Sequence, residues 1–261
     1  MSVSLIVTTY NRPDALFLVL KSIERQSTLP EEIIIADDGS NNDTKELIQN
    51  FQMLSSLQII HSWHKDVGFR VAKSRNKAIA KTTGNYIILI DGDMILHPEF
   101  INDHINNSQS GYFVQGSRVL LTQDKTKQTL DQQKISFSFL SNGLQNRKNA
   151  IHSNSLSRLF SKKKNTLRGI KSCNLAFFKQ DCITVNGFNN EFEGWGREDS
   201  EFIMRLFNSG INRKNVRFNA IQFHLWHNEN IRDSLEKNEA LLQNTINNQI
   251  KWCDSGLKKF L

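Results

Sequence analysis

Apolar runs and helical periodicities take turns over the first hundred residues. Residues 3–8, with Val3, Leu5, Ile6 and Val7, read as a buried strand. The stretch 14–25 follows as a helix, with Pro13 preset for its first turn. A second strand over 32–36 ends in Asp37-Asp38-Gly39-Ser40, residues 44–51 are helical, and 57–61 read as a third strand. A helix over 71–81 and a strand over 86–90, which runs into Asp91-Gly92-Asp93, complete four alternations. This order predicts an α/β fold with a single Rossmann-like, doubly wound, mostly parallel sheet flanked by helices. Ligands of such sheets bind beyond the carboxyl ends of the strands. The polar clusters of this chain fall at those ends.

The pattern changes between residues 122 and 166, where Gln, Asn, Ser and Lys dominate and Lys162-Lys163-Lys164 stand together. That stretch reads as a mobile excursion from the core. Periodicity returns with a strand over 171–178, a helix over 198–207 and a strand over 220–226. In 231–252, Ile231, Leu235, Leu242, Ile246 and Ile250 recur at helical spacing as a core-facing stripe. The basic tail with Trp252, Leu257, Lys258, Lys259, Phe260 and Leu261 either packs on its own domain or touches an anionic membrane. One domain over 1–261 is expected. Its parts are a ligand-binding half (1–118), the variable excursion (119–168), a second site-bearing half (169–228) and a C-terminal helix with the tail (229–261).

Composition adds limits. Hydrophobic residues at 38% and charged residues at 23% suit a globular chain in water. No apolar run is long enough to cross a bilayer, and the N-terminus enters a β-branched strand with no basic leader, so a cytoplasmic location is expected. Cys173, Cys182 and Cys253 show no metal or redox spacing and read as reduced, buried thiols. The net charge of +7 implies an anionic partner, whether nucleic acid, phospholipid or a phosphorylated small molecule.

Candidate chemistry gathers at two places. Asp91 and Asp93, two apart on an extended chain, point the same way, and Gly92 between them admits a ligand close to the backbone. Hard carboxylate oxygens of this kind suit Mg²⁺ or Mn²⁺, although the triplet alone is also an ordinary polar turn. Thr8-Thr9-Tyr10-Asn11-Arg12 and Asp37-Asp38 end neighbouring strands, and Arg70 and Arg75 add guanidinium groups that pair well with phosphate. At the second place, Gly194-Trp195-Gly196-Arg197-Glu198-Asp199 joins a flexible loop and a flat indole to a helix start. The positive helix end favours an ionised Asp199, ready to accept a hydroxyl proton, though acidic first turns commonly do no more than complement the dipole. His224 and His227 lie three apart near a strand end.

The string from Val3 to Asp93 resembles the nucleotide-sugar-binding half of family 2 glycosyltransferases of the GT-A fold, and 64–76 is especially similar to the bacterial chondroitin-polymerase N-acetylgalactosaminyltransferase type. The Gly194 to Asp199 string is similar to the C-terminal motif of β-1,4-galactosyltransferases, from which Ser200 departs where those carry another Asp. The resemblance implies that Thr8, Tyr10 and Arg12 line the nucleotide pocket and that Asp37, or in second place Asp38, recognises the base. It further implies that Arg70 lies near base or phosphate, that Asp93 binds Mn²⁺ or Mg²⁺, and that Asp91 reaches ribose and metal. His227, with His224 second, would complete the metal site. Asp199 would be the general base, Glu198 would hold the acceptor, and Trp195 would sit in the loop that closes over both substrates. The activity so implied is inverting transfer of a hexose or N-acetylhexosamine from a UDP-sugar to a glycan or lipid-linked glycan, in bacterial surface polysaccharide or lipo-oligosaccharide synthesis, with peripheral contact at the inner face of the plasma membrane.

Two other readings follow from the residues. A nucleotidyltransferase also uses a parallel sheet and paired aspartates, but it needs a Gly-rich phosphate loop, and residues 8–13 contain no glycine. A nucleic-acid-binding protein would explain the charge, but no binding motif accompanies it, and no nucleic acid is expected as a partner.

Overall fold

A strand that is apolar on both faces needs cover on both, and the first half of the chain is built around that need. A computed structural model describes residues 1–228 and 233–261. Its elements begin with β1 (Val3–Thr9), α1 (Pro13–Glu24), β2 (Glu32–Asp37), α2 (Asn42–Leu54), β3 (Ile59–Trp63), α3 (Val71–Lys81) and β4 (Tyr86–Asp91). There follow β5 (Met94–Leu96), α4 (Phe100–Asn107), β6 (Tyr112–Gln115), β7 (Ser117–Leu121), α5 (Gln123–Asp131), β8 (Leu144–Gln145), α6 (Asn154–Phe160) and β9 (Lys162–Lys163). The chain continues with β10 (Asn174–Phe178), α7 (Lys179–Thr184), α8 (Glu198–Asn208), β11 (Asn212–Asn215), β12 (Ile221–His224) and α9 (Leu235–Asn247).

Eight strands form the main sheet in the order β3-β2-β1-β4-β10-β6-β11-β9. The first four are parallel, as the sequence predicts, and β10 runs against β4 and β6. Period-two alternation divides the side chains between two cores. Leu5, Ile33, Ile35, Ile88 and Ile90 meet Leu16, Val19, Leu20 and Ile23 of α1. On the other face, Ile6, Ile34, Ile87 and Leu89 meet Ala72, Ala78 and Ile79 of α3 and Phe202, Ile203 and Leu206 of α8.

A second sheet, ordered β5-β12-β7-β8, lies outside the predicted architecture. The chain passes from one sheet to the other at Gly116, between β6 and β7. There the Asn174 side-chain amide donates to the Ser117 and Ala220 carbonyls, at 2.8 Å each, and its oxygen pairs with His104 Nε2 at 2.9 Å.

Three expectations change. The 119–168 segment is not an excursion, because Leu121, Leu144 and Ala150 bury themselves with Ile95 and Phe223 in a third core. Its polar composition hid short elements that each contribute only one or two core residues. The C-terminal helix starts at Leu235 and ends at Asn247, and Ile231 lies outside the described residues. The tail packs on its own domain, with Leu257 wholly buried in the second core. Among the described residues no helix is long and apolar enough to cross a membrane.

Inside α8, Arg205 is fully buried. It donates to both Glu201 carboxylate oxygens at 2.7 and 2.8 Å, to Gly187 O at 2.7 Å and to Val185 O. Thr245 of α9 donates to the same carboxylate. Replacing one member of such a pair leaves a buried charge uncompensated. Arg205→Met is therefore expected to cost about 3–5 kcal/mol in urea unfolding at neutral pH.

Candidate active site

A cleft of about 1060 Å³ opens where β1 and β4 end, and the two candidate clusters line it from opposite sides. Thr8 pairs in register with Asp91. Gly92 N–H donates to Thr8 O at 2.7 Å, and a Cβ at Gly92 would stand 3.0 Å from Thr8 O and Thr9 Oγ1. Asp93 is then drawn toward the second sheet. His224 pairs with Met94, and Leu225 N–H donates to Asp93 O at 3.0 Å.

That pairing delivers both histidines rather than one. His224 Nε2 and His227 Nε2 lie 3.4 and 3.5 Å from Asp93 Oδ2, and one ligand atom from each of the three residues falls within 4.8 Å of the others. His227 Nδ1 faces the Asn228 carbonyl at 2.6 Å, which leaves Nε2 as the ring atom turned toward Asp93. Asp93 Oδ1 is buried without a hydrogen-bond partner. Three potential ligand atoms converging on one point fit a divalent cation. Burial alone raises the Asp93 carboxyl, but His224 and then His227 outweigh it and hold the group below its ordinary range. At Asp91, burial prevails over Arg75 and raises the carboxyl.

Arg75 joins the two walls. From a buried place on α3 its guanidinium reaches Asp91 Oδ1 at 3.3 Å, Glu198 Oε1 at 3.1 Å and Thr8 Oγ1 at 3.4 Å. Its carbon centre lies 5.4 Å from the Phe188 ring centroid. Burial works against its charge, yet Asp91 and Glu198 together hold its pKa above the ordinary arginine value.

The β2 aspartates exchange the order expected of them. Asp37 is fully buried and turned away from the cleft. It accepts from Gly39 and Ser40 N–H at 3.2 and 2.8 Å, and His61 Nε2 lies 2.8 Å from its other oxygen. Asp38 lines the cleft instead. It accepts from Arg70 N–H at 2.8 Å, and His64 Nε2 stands 3.0 Å away at an angle too oblique for a hydrogen bond. Burial pushes Asp38 up to about 6. Arg70 departs in another way. Its guanidinium does not line the cleft but pairs with Glu193 at 2.6 Å, while Phe69 O accepts from Gly194 N–H. Tyr10 and Arg12 are on the cleft wall; the Tyr10 hydroxyl donates to Asp66 at 2.9 Å, and one terminal Arg12 nitrogen is buried without a partner.

On the facing wall, Gly194 and Gly196 take φ of +71° and +106°, a region that favours glycine. Between them Trp195 is 36% exposed to the cleft. Asn238 of α9 donates to Glu193 O and Gly196 O and so fixes this loop from behind. Asp199 accepts from Ser200 N–H at 2.6 Å. The helix start was expected to keep Asp199 well ionised. Burial, and then the neighbouring Glu198, instead push it up to about 6. Arg118, Lys171 and Ser172 also line the cleft. Arg118, the last residue of the half read as ligand-binding, carries no motif and stands on a strand that was not predicted, and His61 and His64 likewise become visible only through the carboxylates they face.

Residues 4–175 match the family described as glycosyl transferase family 2. The chain belongs to that family. Residues 155–228 also match the domain described as the N-terminal domain of galactosyltransferase. Chondroitin synthase of Escherichia coli is 26% identical over 248 residues, 85% of this chain and 34% of that protein. Hyaluronan synthase of Pasteurella multocida is 30% identical over 237 residues, 80% of this chain and 23% of that protein. The chain thus spans about a third or less of these relatives. Among solved structures, S. aureus TarS 1–349 in complex with UDP-GlcNAc superposes with a TM-score of 0.63 at 16% identity, covering 100% of this chain and 69% of that one. A mannosyltransferase from Pyrobaculum calidifontis in complex with GDP-Man and Mn²⁺ gives 0.58 at 14% identity, covering 85% and 56%. The fold is that of GT-A glycosyltransferases, and the chain carries a glycosyltransferase domain.

Arg75→Met keeps bulk but leaves Asp91 and Glu198 facing each other without a cation. It is expected to cost about 3–5 kcal/mol of stability in denaturant unfolding at pH 7. Because burial raises the Asp91 carboxyl, its protonation relieves the repulsion as the pH falls, and the loss should shrink in acid.

Proposed function

We propose that this glycosyltransferase moves a hexose or N-acetylhexosamine from a UDP-sugar to a glycan hydroxyl, inverting the anomeric carbon with the help of Mn²⁺ or Mg²⁺. The observation that carries this reading is one cleft lined by Asp93 and His227, which His224 joins in a cluster, and by Asp199, a carboxylate that burial pushes up to about 6. The UDP-GlcNAc and GDP-Man complexes of proteins with this fold support a nucleotide-sugar donor. The synthases among the relatives support a polysaccharide acceptor, here one of bacterial surface polysaccharide or lipo-oligosaccharide built at the cytoplasmic face of the membrane. Nucleotidyl transfer and nucleic-acid binding find no support in either family match.

In this mechanism Asp199 takes the proton of the acceptor hydroxyl as that oxygen attacks the anomeric carbon. The bond from that carbon to the donor's diphosphate breaks on the opposite face, so an α-linked donor yields a β-glycoside. Asp93, His224 and His227 would hold the divalent cation, which would supply positive charge for the departing diphosphate. Asp91, two residues before Asp93, would serve the ribose. Asp38 takes over from Asp37 the recognition of the base, since its carboxylate faces the cleft. Tyr10 and Thr8 line the same pocket, and the unpartnered Arg12 nitrogen suits a phosphate oxygen. Trp195 offers its face to the acceptor sugar, and Glu198, steadied by Arg75, holds the acceptor. Arg70 steadies the Glu193–Gly194 turn instead of touching base or phosphate.

Chelation with EDTA is expected to abolish UDP release from the donor, and undiminished turnover in metal-stripped protein would exclude the cation. Two imidazoles and one carboxylate suit Mn²⁺ better than the all-oxygen preference of Mg²⁺. His224→Ala and His227→Ala should therefore each raise the Mn²⁺ requirement by about tenfold or more, although the family resemblance alone puts His227 first.

Asp199→Asn is expected to slow transfer by about 10²-fold to 10⁴-fold with donor binding intact. The turnover of the unaltered enzyme should fall as the pH drops through about 6 and Asp199 takes up its proton. A carboxyl raised in the folded state adds stability below its unfolded value and loses that contribution as the pH climbs to about 6. The asparagine variant should therefore melt at or above the unaltered temperature at pH 7. A lowered melting temperature with near-normal turnover would reduce Asp199 to a helix-end residue.

A further inference from the structure

Charge is distributed along this chain unevenly. Residues 132–180 contain no Asp or Glu and ten Lys or Arg, against a net charge of +7 for the whole chain, so the remainder carries −3. Within that segment α6 turns Ser157 inward and leaves Leu156, Leu159 and Phe160 exposed by 37%, 75% and 45%. Their spacing of three and four puts them on one face. Exposed around them are Arg158 on the same helix and Lys162, Lys163 and Lys164 just after it. Arg217 is held close by its N–H bond to Ser161 Oγ at 3.1 Å. The ion pairs among the described residues engage none of these cations.

We propose that α6 and the lysines 162–164 dock on an anionic lipid bilayer, the leucines and Phe160 entering the headgroup boundary while the cations lie over lipid phosphates. An apolar stripe ringed by Lys and Arg is the pattern that lies flat in such an interface. Nucleic acid would use the same charge, but Leu156 and Leu159 are aliphatic, and the one ring of the stripe, Phe160, already packs on Phe218 with centroids 5.7 Å apart. The basic tail is the poorer site, because Leu257 is packed in the core and Lys259 Nζ donates to Ser255. The docking segment runs directly into Ile170, Lys171 and Ser172 on the cleft wall, so a lipid-borne acceptor would meet the enzyme on the side that carries Asp199. Nothing in this inference depends on which sugar is transferred or on the role of Asp199.

Co-sedimentation of the full chain with vesicles tests it, one set of phosphatidylcholine alone and one of equal parts phosphatidylcholine and phosphatidylglycerol. The expected result is binding to the mixed vesicles only, weakened by salt. Changing Lys162, Lys163 and Lys164 together to Gln should lower the partition coefficient by about 10²-fold, at roughly 1 kcal/mol for each cation near the surface. Leu159→Ser should weaken binding without altering its salt dependence. Thermal melting of each variant and its transfer to a soluble acceptor should be unchanged, which keeps this result separate from the fate of the proposed reaction. Equal binding to both vesicles, a gel shift with DNA or RNA in place of vesicle binding, or a loss produced by Lys258→Gln with Lys259→Gln instead, would each overturn the proposal.

Discussion

The Arg75 guanidinium is the contact on which both walls of the cleft depend. It sits on the first turns of α3 with almost no access to water, a placement costing several kcal/mol for an unpaired ion. Two carboxylates from distant parts of the chain, Asp91 and Glu198, offset that cost, and Thr8 accepts its remaining hydrogen bond. The arrangement sets the spacing between the end of β4 and the start of α8. It also explains why two acidic side chains can stand near Asp93 and Asp199 without forcing the cleft apart. The same neighbours tune the site, since Glu198 helps raise Asp199 while Arg75 limits the rise.

A second fastening works from behind the loop. Asn238 holds the carbonyls of Glu193 and Gly196, and Arg70 holds the Glu193 carboxylate from the opposite side. Trp195 therefore sits on a turn fastened at both ends, between two glycines with positive φ. Arg70, read from the sequence as lying near base or phosphate, takes part in this fastening through Glu193.

Most of the parallel half was legible because its strands are apolar on both faces and its helices show clean periodicity. The predicted helix over 71–81 matches α3 residue for residue, and the strand ends at Thr9, Asp37 and Asp91 lie where the polar clusters had marked them. Of the second sheet only β12 was legible, inside the strand predicted over 220–226. The strands β5, β7 and β8 are two to five residues long, too short for a period to emerge, and their partners are set by tertiary pairing. The placement of Asp37 and Asp38 was not legible for a related reason. Which of two adjacent side chains faces the cleft depends on the pleat, and His61, the group that claims Asp37, stands on a neighbouring strand. Asp199 misled because the helix end is a local effect, whereas burial comes from the whole fold.

The pairing of β5 with β12 has a bearing on how the protein comes into being. Asp93 emerges early in synthesis, directly after the compact run of parallel strands, whereas His224 and His227 emerge more than a hundred residues later. Closing so long a loop is entropically unfavourable until the intervening β7 offers its edge to β12. A ribosome-bound chain can thus complete its first parallel strands and still lack two of the three side chains of the cluster. Assembly of that cluster is a late event of folding, and chains stalled before β12 are left without it.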